Sequence, residues 1–271
     1  MMKSAEELQH AVWRTAITDF GDGRINIRGV PIEELMHWGS FGEVVFLLFA
    51  GRKPDVGEGR LFNAILIAAS DHGPTSPSTL AGRVIASGNR RAPEAAVAGG
   101  LLAIGDAHGG AGEASMVMLS EALRAADNVG NFDAAALSIV KRAKEQKRRL
   151  PGLGHRFHGA DPRANALFSQ AEAQSVSAGP IAMIKAIERA LETESGRHLP
   201  INVDGAIAAV LLGMGFEPLI ARLIFIIGRC AGVATHVREE LEREKPMRIR
   251  FPYTYDGPSP LELDRQIEAA E

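Results

Sequence analysis

Apolar residues recur at intervals of three and four along almost the whole chain, and this spacing limits the fold more than any other feature. Stretches such as IEELMHWGSFGEVVFLLFAG, which we predict to be one helix ending at Gly51, and EGRLFNAILIAAS place apolar side chains on one helical face. Alternation with a period of two is confined to GRINIRG and MRIRFPYTY, which predict small strands at most. The sequence therefore predicts an all-α fold of roughly ten or more helices.

Composition narrows the class of protein and its partners. The chain has 271 residues, 46% of them apolar and 23% charged, which is typical of one globular domain or two closely joined ones. A net charge of −3 provides no basic field for nucleic acid or an anionic membrane. Cys230 is the single cysteine, which fits a reducing compartment, and the first residues lack the apolar core of a secretory signal. We therefore expect a cytoplasmic protein.

The longest apolar run, 218–234, contains two arginines and is predicted to be a buried helix rather than a membrane span. One of these arginines, Arg229, lies between small residues in IIGRCAG. A charge in such a place is rarely left unpaired. Arg229 is therefore expected to meet either an acid in the core or an anionic ligand in a cleft.

The stretch LPGLGHRFHGADPRA, residues 150–164, is too rich in glycine and charge to form a core. Gly152 and Gly154 allow the backbone to approach a ligand closely. Asp161 and Pro162 are typical of the N-cap and first position of a helix, which places Arg163 in its first turn. A cation there needs an anionic partner. Either a ligand carboxylate or a surface acid could supply it.

Two further residues allow both a structural and a functional interpretation. His108, in GDAHGGAGEAS, is expected at a helix N-terminus, where a neutral imidazole could donate a hydrogen bond to a developing oxyanion or could simply cap the helix. Asp204, in INVDGAI, precedes an apolar helix. Taken alone, the pattern favours an N-cap, and the alternative is a carboxylate base at the edge of an apolar pocket.

The remaining polar stretches bear on ligands. DHGPTSPST offers His72 and several hydroxyl groups, and the eight histidines lack metal-ligand spacing, so we predict no metal site. In KRAKEQKRR, residues 141–149, six of nine residues are cationic. This run suits a helix C-terminus or the phosphates of a nucleotide-bearing cofactor better than it suits nucleic acid.

Together these stretches resemble the citrate synthase superfamily. AHGGAGEA, PGLGHRFHGADPR and NVDGAI resemble its three catalytic segments in the family's order, and GRCAGVATHVREE resembles its arginine-bearing C-terminal helix. The likeness covers nearly the whole chain. It is greater to the citryl-CoA lyase type, including the lyase module of ATP-citrate lyase, because DHGP, GLLAIGD, GLGHR and NVDG have near-verbatim counterparts there.

The resemblance implies an all-α, citrate-synthase-like fold with a large and a small helical domain and the site between them. The large domain would comprise 1–108 and 222–271, and the small domain 109–221. It also implies a homodimer or homotetramer, because an arginine from the neighbouring subunit completes the site. That arginine falls on Arg250, although Phe251 stands where citrate synthases usually carry proline.

The resemblance also assigns roles to residues of this chain. The catalytic residues would be His108, His155 and Asp204, and the carboxylates of the substrate would meet His72, His155, Arg163 and Arg229. The phosphates of coenzyme A would meet a set of cations around the glycine loop of Gly152 and Gly154, namely Lys144, Arg148 and Arg156.

The implied activity is that of a citryl-CoA lyase, which cleaves citryl-CoA to acetyl-CoA and oxaloacetate with no permanently bound cofactor. The short length, DHGP and NVDG favour the lyase. The histidine of DAHGG favours the alternative, a citrate synthase that condenses acetyl-CoA with oxaloacetate or another 2-oxo acid. A non-catalytic helical scaffold is a third alternative, and the survival of all three catalytic residue types argues against it.

Overall fold

The structure is a computed structural model, and it describes residues 14–129, 131–154 and 161–259. These residues form one small sheet and eleven helices, so the all-α prediction is confirmed. The helices are α1 (Ile32–Trp38), α2 (Phe41–Ala50), α3 (Val56–Ser70), α4 (Pro77–Gly88), α5 (Pro93–Leu102), α6 (Ala111–Val129), α7 (Phe132–Glu145), α8 (Pro162–Ala173), α9 (Ala178–Ser195), α10 (Val203–Gly213) and α11 (Pro218–Arg243).

The sheet consists of three short antiparallel strands, β1 (Thr18–Gly21), β2 (Arg24–Ile27) and β3 (Val30–Pro31), in the order β1-β2-β3. β1 pairs with β2 from Thr18 opposite Ile27 to Gly21 opposite Arg24. The strand predicted from GRINIRG is therefore confirmed. The strand predicted from MRIRFPYTY is wrong, because this segment runs exposed along the chain end and no described strand lies beside it to form a ladder.

The first apolar stretch forms two helices instead of the single one predicted. α1 ends at Gly39, and Ser40 begins α2 with a capping box. The Ser40 hydroxyl accepts a hydrogen bond from the Glu43 backbone N–H, and the Glu43 carboxylate accepts one from the Ser40 N–H. Because these bonds satisfy the free donors of a helix start, the chain can turn here without losing the apolar spacing.

The core surrounds α10, whose side chains are buried on almost every side. α11 packs against α3, α4, α5, α6 and α10. By length and composition alone α11 could cross a membrane, but it buries Arg229 and Glu240 among other helices, as expected of a core helix. One apolar cluster joins residues from all three predicted segments, and the division into a large and a small domain stays a prediction.

Glycines bring two pairs of elements close together near the centre of the fold. At Gly228 an added Cβ would lie 2.8 Å from the Cβ of Ala69, so α11 crosses the end of α3 at very short range. At Gly205 an added Cβ would lie 2.4 Å from the carbonyl oxygen of Gly152. The start of α10 therefore rests directly on the glycine loop.

Candidate active site

A cavity of about 550 Å³ opens where six segments meet, most of them far apart in the sequence. These segments are the turn after α3, the turn before α6, the glycine loop, the first turns of α8 and α10, and the middle of α11. Its lining includes charged and polar side chains that sequence analysis singled out, namely His72, His108, Asp161, Arg163, Asp204 and Arg229.

His108 lies in a tight turn that Gly105 closes by two backbone hydrogen bonds with it, of 2.8 and 2.9 Å. Its Nε2 atom lies 2.9 Å from the Ser78 hydroxyl oxygen and 3.4 Å from the Ser78 backbone nitrogen. Because a backbone N–H can only donate, Nε2 accepts this bond and Nδ1 carries the proton of the neutral ring. The histidine can therefore donate from Nδ1.

The pKa of His108 is lowered to about 4, first by burial and then by the charges of Arg229 and His72. The ring is consequently neutral at pH 7, as the sequence predicted. The position of His108 differs from the predicted helix N-terminus. α6 begins only at Ala111, and the ring instead contacts Ser78 in the first turn of α4.

Asp204 lies in the first turn of α10 but does not cap it. The cap is Asn202, whose side-chain oxygen accepts hydrogen bonds from the backbone nitrogens of Asp204 and Gly205 at 3.0 and 3.2 Å. The capping interpretation of Asp204 is therefore wrong. Asparagine is as good a cap as aspartate, so the sequence signal for this arrangement was present in NVD.

Burial raises the pKa of Asp204, and the nearby Asp161 adds to this effect, while Arg163 and Arg229 act in the opposite direction. The net result is a carboxyl group that holds its proton more strongly than usual. Such a group beside a cavity can exchange a proton with a ligand.

Asp161 caps α8 and Pro162 occupies its first position, as predicted. Both carboxylate oxygens of Asp161 accept hydrogen bonds from the Arg163 guanidinium, at 3.0 and 2.9 Å. Asp161 is 2% exposed and also accepts a bond of 3.0 Å from the backbone N–H of Val203. The anionic partner of Arg163 is thus a buried acid on its own helix rather than a surface acid.

Arg163 nonetheless faces the cavity. Its Nη1 lies 3.3 Å from Nδ1 of His72, so the two side chains meet at the cavity wall. Burial raises the pKa of Asp161, but hydrogen bonds and the charge from Arg163 outweigh it and hold that pKa below its usual range. The pair is therefore ionised and fixes Arg163 in place.

Arg229 is 1% exposed and has no salt bridge to any carboxylate in the part of the chain that the structure describes. Its Nε donates to the carbonyl oxygen of Ala69 at 3.0 Å, its Nη1 reaches the Ser78 hydroxyl at 3.4 Å, and its guanidinium carbon lies 4.6 Å from the Phe225 ring centroid. Burial lowers its pKa, and the acids Asp71 and Asp204 act against that. No described carboxylate forms a salt bridge with Arg229, and an anionic ligand stays the prediction for this residue.

Ser78 links two of these groups, a role that the sequence did not reveal. Its fully buried hydroxyl lies within hydrogen-bonding distance of both Arg229 and His108. Because the arginine can only donate, the hydroxyl accepts from Arg229 and is free to donate to Nε2 of His108. Only the serine-rich composition of DHGPTSPST pointed to this position.

Comparison with known proteins identifies the family. Residues 49–250 match the family model described as "Citrate synthase, C-terminal domain". The chain belongs to the citrate synthase family. Curated relatives include the glyoxysomal citrate synthase of Cucurbita maxima, 32% identical over 76% of this chain and 39% of the relative, and the citrate synthase of Haloferax volcanii, 30% identical over 83% and 56%. The chain thus spans about half the length of these relatives, or less.

Solved structures confirm the fold of this citrate synthase family member. Citryl-CoA lyase from Hydrogenobacter thermophilus is 34% identical, with a TM-score of 0.83 over 94% of this chain and 100% of that one. Citrate synthase from Thermoplasma acidophilum is 27% identical, with a TM-score of 0.66 over 81% and 57%. ATP citrate lyase from Methanothrix soehngenii is 19% identical with a TM-score of 0.77, which supports the fold alone.

The residues predicted to bind coenzyme A in this family member differ in their position relative to the cavity. Gly154 lines the cavity, and Gly152 packs behind it against Gly205. Lys144 forms an ion pair of 3.5 Å with Glu194, and Arg148 is exposed beyond the end of α7. Neither of these two cations lines the cavity, so their contact with coenzyme A stays a prediction.

Three further predicted residues are not tested by the structure. Arg250 is exposed in the C-terminal segment and does not line the cavity of its own chain. Its predicted role is toward the site of a neighbouring subunit, so the structure of a single chain does not test it. His155 and Arg156 lie outside the described residues. No group of three or more potential metal ligands occurs among the residues that are described.

Proposed function

We propose that the protein is a citryl-CoA lyase, which cleaves citryl-CoA to acetyl-CoA and oxaloacetate. One observation carries the proposal: a neutral His108 and a carboxyl group of raised pKa, Asp204, share one cavity with Arg163 and Arg229. The likeness to the citryl-CoA lyase of Hydrogenobacter thermophilus over that protein's full length supports the lyase reaction.

The guanidinium groups suit a substrate with several carboxylates. Arg229 is buried without a salt bridge to a described carboxylate, so an incoming carboxylate would gain a charge-assisted hydrogen bond in a site of low dielectric constant. Arg163 and His72, whose Nη1 and Nδ1 atoms lie 3.3 Å apart, would together bind a second carboxylate. Two fixed contacts orient the bond that breaks.

The cleavage step needs one base, one oxyanion donor and one acid. In the proposed assignment His155 removes the proton from the tertiary hydroxyl, and the adjacent carbon–carbon bond breaks to leave oxaloacetate and the enolate of acetyl-CoA. Nδ1–H of His108 donates to the enolate oxygen. Asp204, whose raised pKa favours the protonated form, then donates a proton to the enolate carbon. Exchange with water restores both proton states.

The coenzyme A part of the substrate would lie along the glycine loop. Gly154 lines the cavity and has a φ value of 86°, which side chains rarely adopt, so its backbone stays open to close approach. Lys144, Arg148 and Arg156 would meet the phosphates. Arg250 would complete the site of a neighbouring copy in a homodimer or homotetramer, and we place the protein in the cytoplasm.

The second candidate is a citrate synthase, because the curated relatives carry that name and condensation reverses the same steps with Asp204 as the base. The reactions are separated by supplying citryl-CoA in one assay and acetyl-CoA with oxaloacetate in another. The lyase proposal predicts rapid acetyl-CoA formation in the first and little free citrate in the second. Rapid release of free citrate in the second assay would favour the synthase.

The scaffold alternative is tested by ligand binding. A catalytic protein should show a higher unfolding temperature with coenzyme A and with citrate or oxaloacetate, because ligands that bind the folded state stabilise it by mass action. A purified protein that shows no shift with any of these ligands and no turnover of citryl-CoA would contradict the proposed function.

A further inference from the structure

A second cavity, of about 600 Å³, borders the same turn that carries His72, and the proposed reaction does not use it. Its lining comes from the end of α3, at Ser70 and Asp71, and from α11 between Ala231 and Arg243. His236 is the histidine of this lining, and its side chain is 17% exposed.

α11 approaches the end of α3 along one of its faces. Gly228, Gly232 and His236 are spaced four residues apart and therefore lie on the same side of the helix. At Gly232 an added Cβ would lie 2.2 Å from the carbonyl oxygen of Ser70, so the two helices are in direct backbone contact there. One turn further along, the side chain at position 236 reaches Asp71.

Asp71 connects His236 to the turn that follows α3. Its Oδ1 lies 3.2 Å from Nε2 of His236, and its Oδ2 accepts a hydrogen bond of 3.1 Å from the backbone N–H of Gly73. Burial raises the pKa of Asp71, but backbone hydrogen bonds from Gly73 and His72 and the interaction with His236 outweigh burial. The pKa of Asp71 therefore lies below its usual range. The ionised carboxylate therefore ties α11 to both sides of His72.

The turn is held at a second point by Arg229, which donates to the carbonyl oxygen of Ala69. His72 thus lies beyond a segment that α11 holds at Ala69 and at Asp71. The other ring nitrogen of His236, Nδ1, lies 3.8 Å from a carboxylate oxygen of Glu239. Arg83 of α4 forms a salt bridge of 2.9 Å with the same glutamate.

We propose that His236 is a positioning residue for the active site: it holds Asp71 and so fixes the turn that presents His72 to a substrate carboxylate beside Arg163. The role rests on the proposed function, in which His72 is a carboxylate ligand. His236 does not line the catalytic cavity and acts only through this turn.

Citrate binding measured by calorimetry tests the role. His236→Ala should weaken citrate binding by about fivefold to tenfold, within the range of coupling energies between residues in contact. His236→Gln keeps a donor for Asp71 and should retain most of the affinity. The matched control is His198→Ala, because His198 forms a similar histidine–carboxylate pair with Glu192, at 3.3 Å, and does not line the cavity. This control should bind citrate like the wild type.

A double variant separates positioning from general loosening of the fold. If His236 acts through His72, then His236→Ala should have no further effect on citrate binding once His72→Ala has been introduced. In turnover of citryl-CoA, His236→Ala should raise KM more than it lowers kcat, because a ligand of the ground state is displaced. Asp71→Asn should reproduce both results, and it carries the test if His236→Ala does not fold.

Two outcomes would overturn the role. The first is unchanged citrate binding in folded His236→Ala and Asp71→Asn proteins, and the second is a full additional loss in the His72→Ala background. Wild-type protein that binds neither citrate nor oxaloacetate would instead overturn the proposed function, and the positioning role with it. The wild-type titration therefore distinguishes the two failures.

Discussion

At the scale of single residues, the roles of Asn202 and Asp204 are divided in a way that frees Asp204 for chemistry. Asn202 satisfies the backbone donors at the start of α10, so Asp204 is not needed to form the helix. Its burial opposes ionisation. A buried carboxyl group that does not cap a helix destabilises the folded protein at neutral pH. Groups that lower stability in this way are common in active sites.

Asp204→Asn should therefore have opposite effects on activity and stability. Turnover of citryl-CoA should fall by about 10²-fold or more, the usual contribution of a positioned acid or base. The unfolding temperature should rise slightly, because a carboxyl group whose pKa is raised on folding costs stability above its unfolded pKa and an amide does not titrate. Steady-state kinetics and a thermal melt at pH 7.5 check both. A folded variant with full activity would rule out the proposed role.

His108 predicts a pH dependence of stability. Its folded pKa of about 4 lies below the unfolded value of 6.5, so protonation favours the unfolded chain. The stability that His108 contributes is complete above pH 6.5 and is lost as pH falls towards 4. Between pH 7 and pH 5 the wild type should lose about 1 kcal/mol more than His108→Asn, after allowance for the partial exposure of the ring. Urea unfolding measures this difference, and equal losses would contradict a neutral, buried imidazole.

At the scale of elements, the N-terminus of α10 joins the core to the glycine loop. Asn202 caps the helix and also donates from its side-chain nitrogen to the carbonyl oxygen of Gly154 at 2.9 Å. Asn202→Ala should lower the free energy of unfolding by about 2 kcal/mol, one part from the cap and one from this bond. It should also lower activity, because the loop lines the cavity.

Asn131→Ala is the matched control for that experiment. Asn131 caps α7 through two bonds, of 2.8 and 3.1 Å, to the backbone nitrogens of Asp133 and Ala134, and does not line the cavity. The Asn131→Ala substitution should lower the free energy of unfolding by about 1 kcal/mol and leave activity unchanged. Equal effects of the two variants on activity would contradict the link between α10 and the loop.

The glycine loop itself allows a second comparison of matched substitutions. Gly152 and Gly196 both have left-handed backbones, with φ of 79° and 66°. An added Cβ at Gly152 would lie 2.5 Å from the Ser115 hydroxyl and 2.7 Å from the Gly205 Cα, whereas the space at Gly196 is open. Gly196→Ala should therefore cost about 1 kcal/mol from backbone strain, and Gly152→Ala at least twice that. If urea unfolding shows similar losses of free energy for the two variants, the close contact at Gly152 does not contribute to stability.

At the scale of the whole molecule, the sequence predicted the helical class because apolar spacing reports burial directly. It also predicted the cap of α8, since Asp161 and Pro162 form a local signal. The break between α1 and α2 was missed, because the capping box of Ser40 and Glu43 lies within an uninterrupted apolar pattern. Local patterns thus predict which segments are helical better than where each helix ends.

The site was predictable only in part, because its geometry depends on contacts between distant segments. Spacing along the chain cannot show that the buried partner of Arg163 is Asp161 or that Ser78 connects Arg229 with His108. Spacing also cannot show which three-dimensional neighbours the Arg229 guanidinium has, such as the carbonyl oxygen of Ala69. These neighbours are fixed by the packing of α11 on α3 and α4.

The most direct test of the account is a crystal structure of the protein with citrate and coenzyme A. We expect citrate in the cavity between α8, α10 and α11, with separate carboxylates within hydrogen-bonding distance of the Arg163 and Arg229 guanidinium groups and with His108 and Asp204 facing the region where the thioester joins. Citrate bound in that crystal away from both arginines, or in a cavity that His108 and Asp204 do not line, would contradict it.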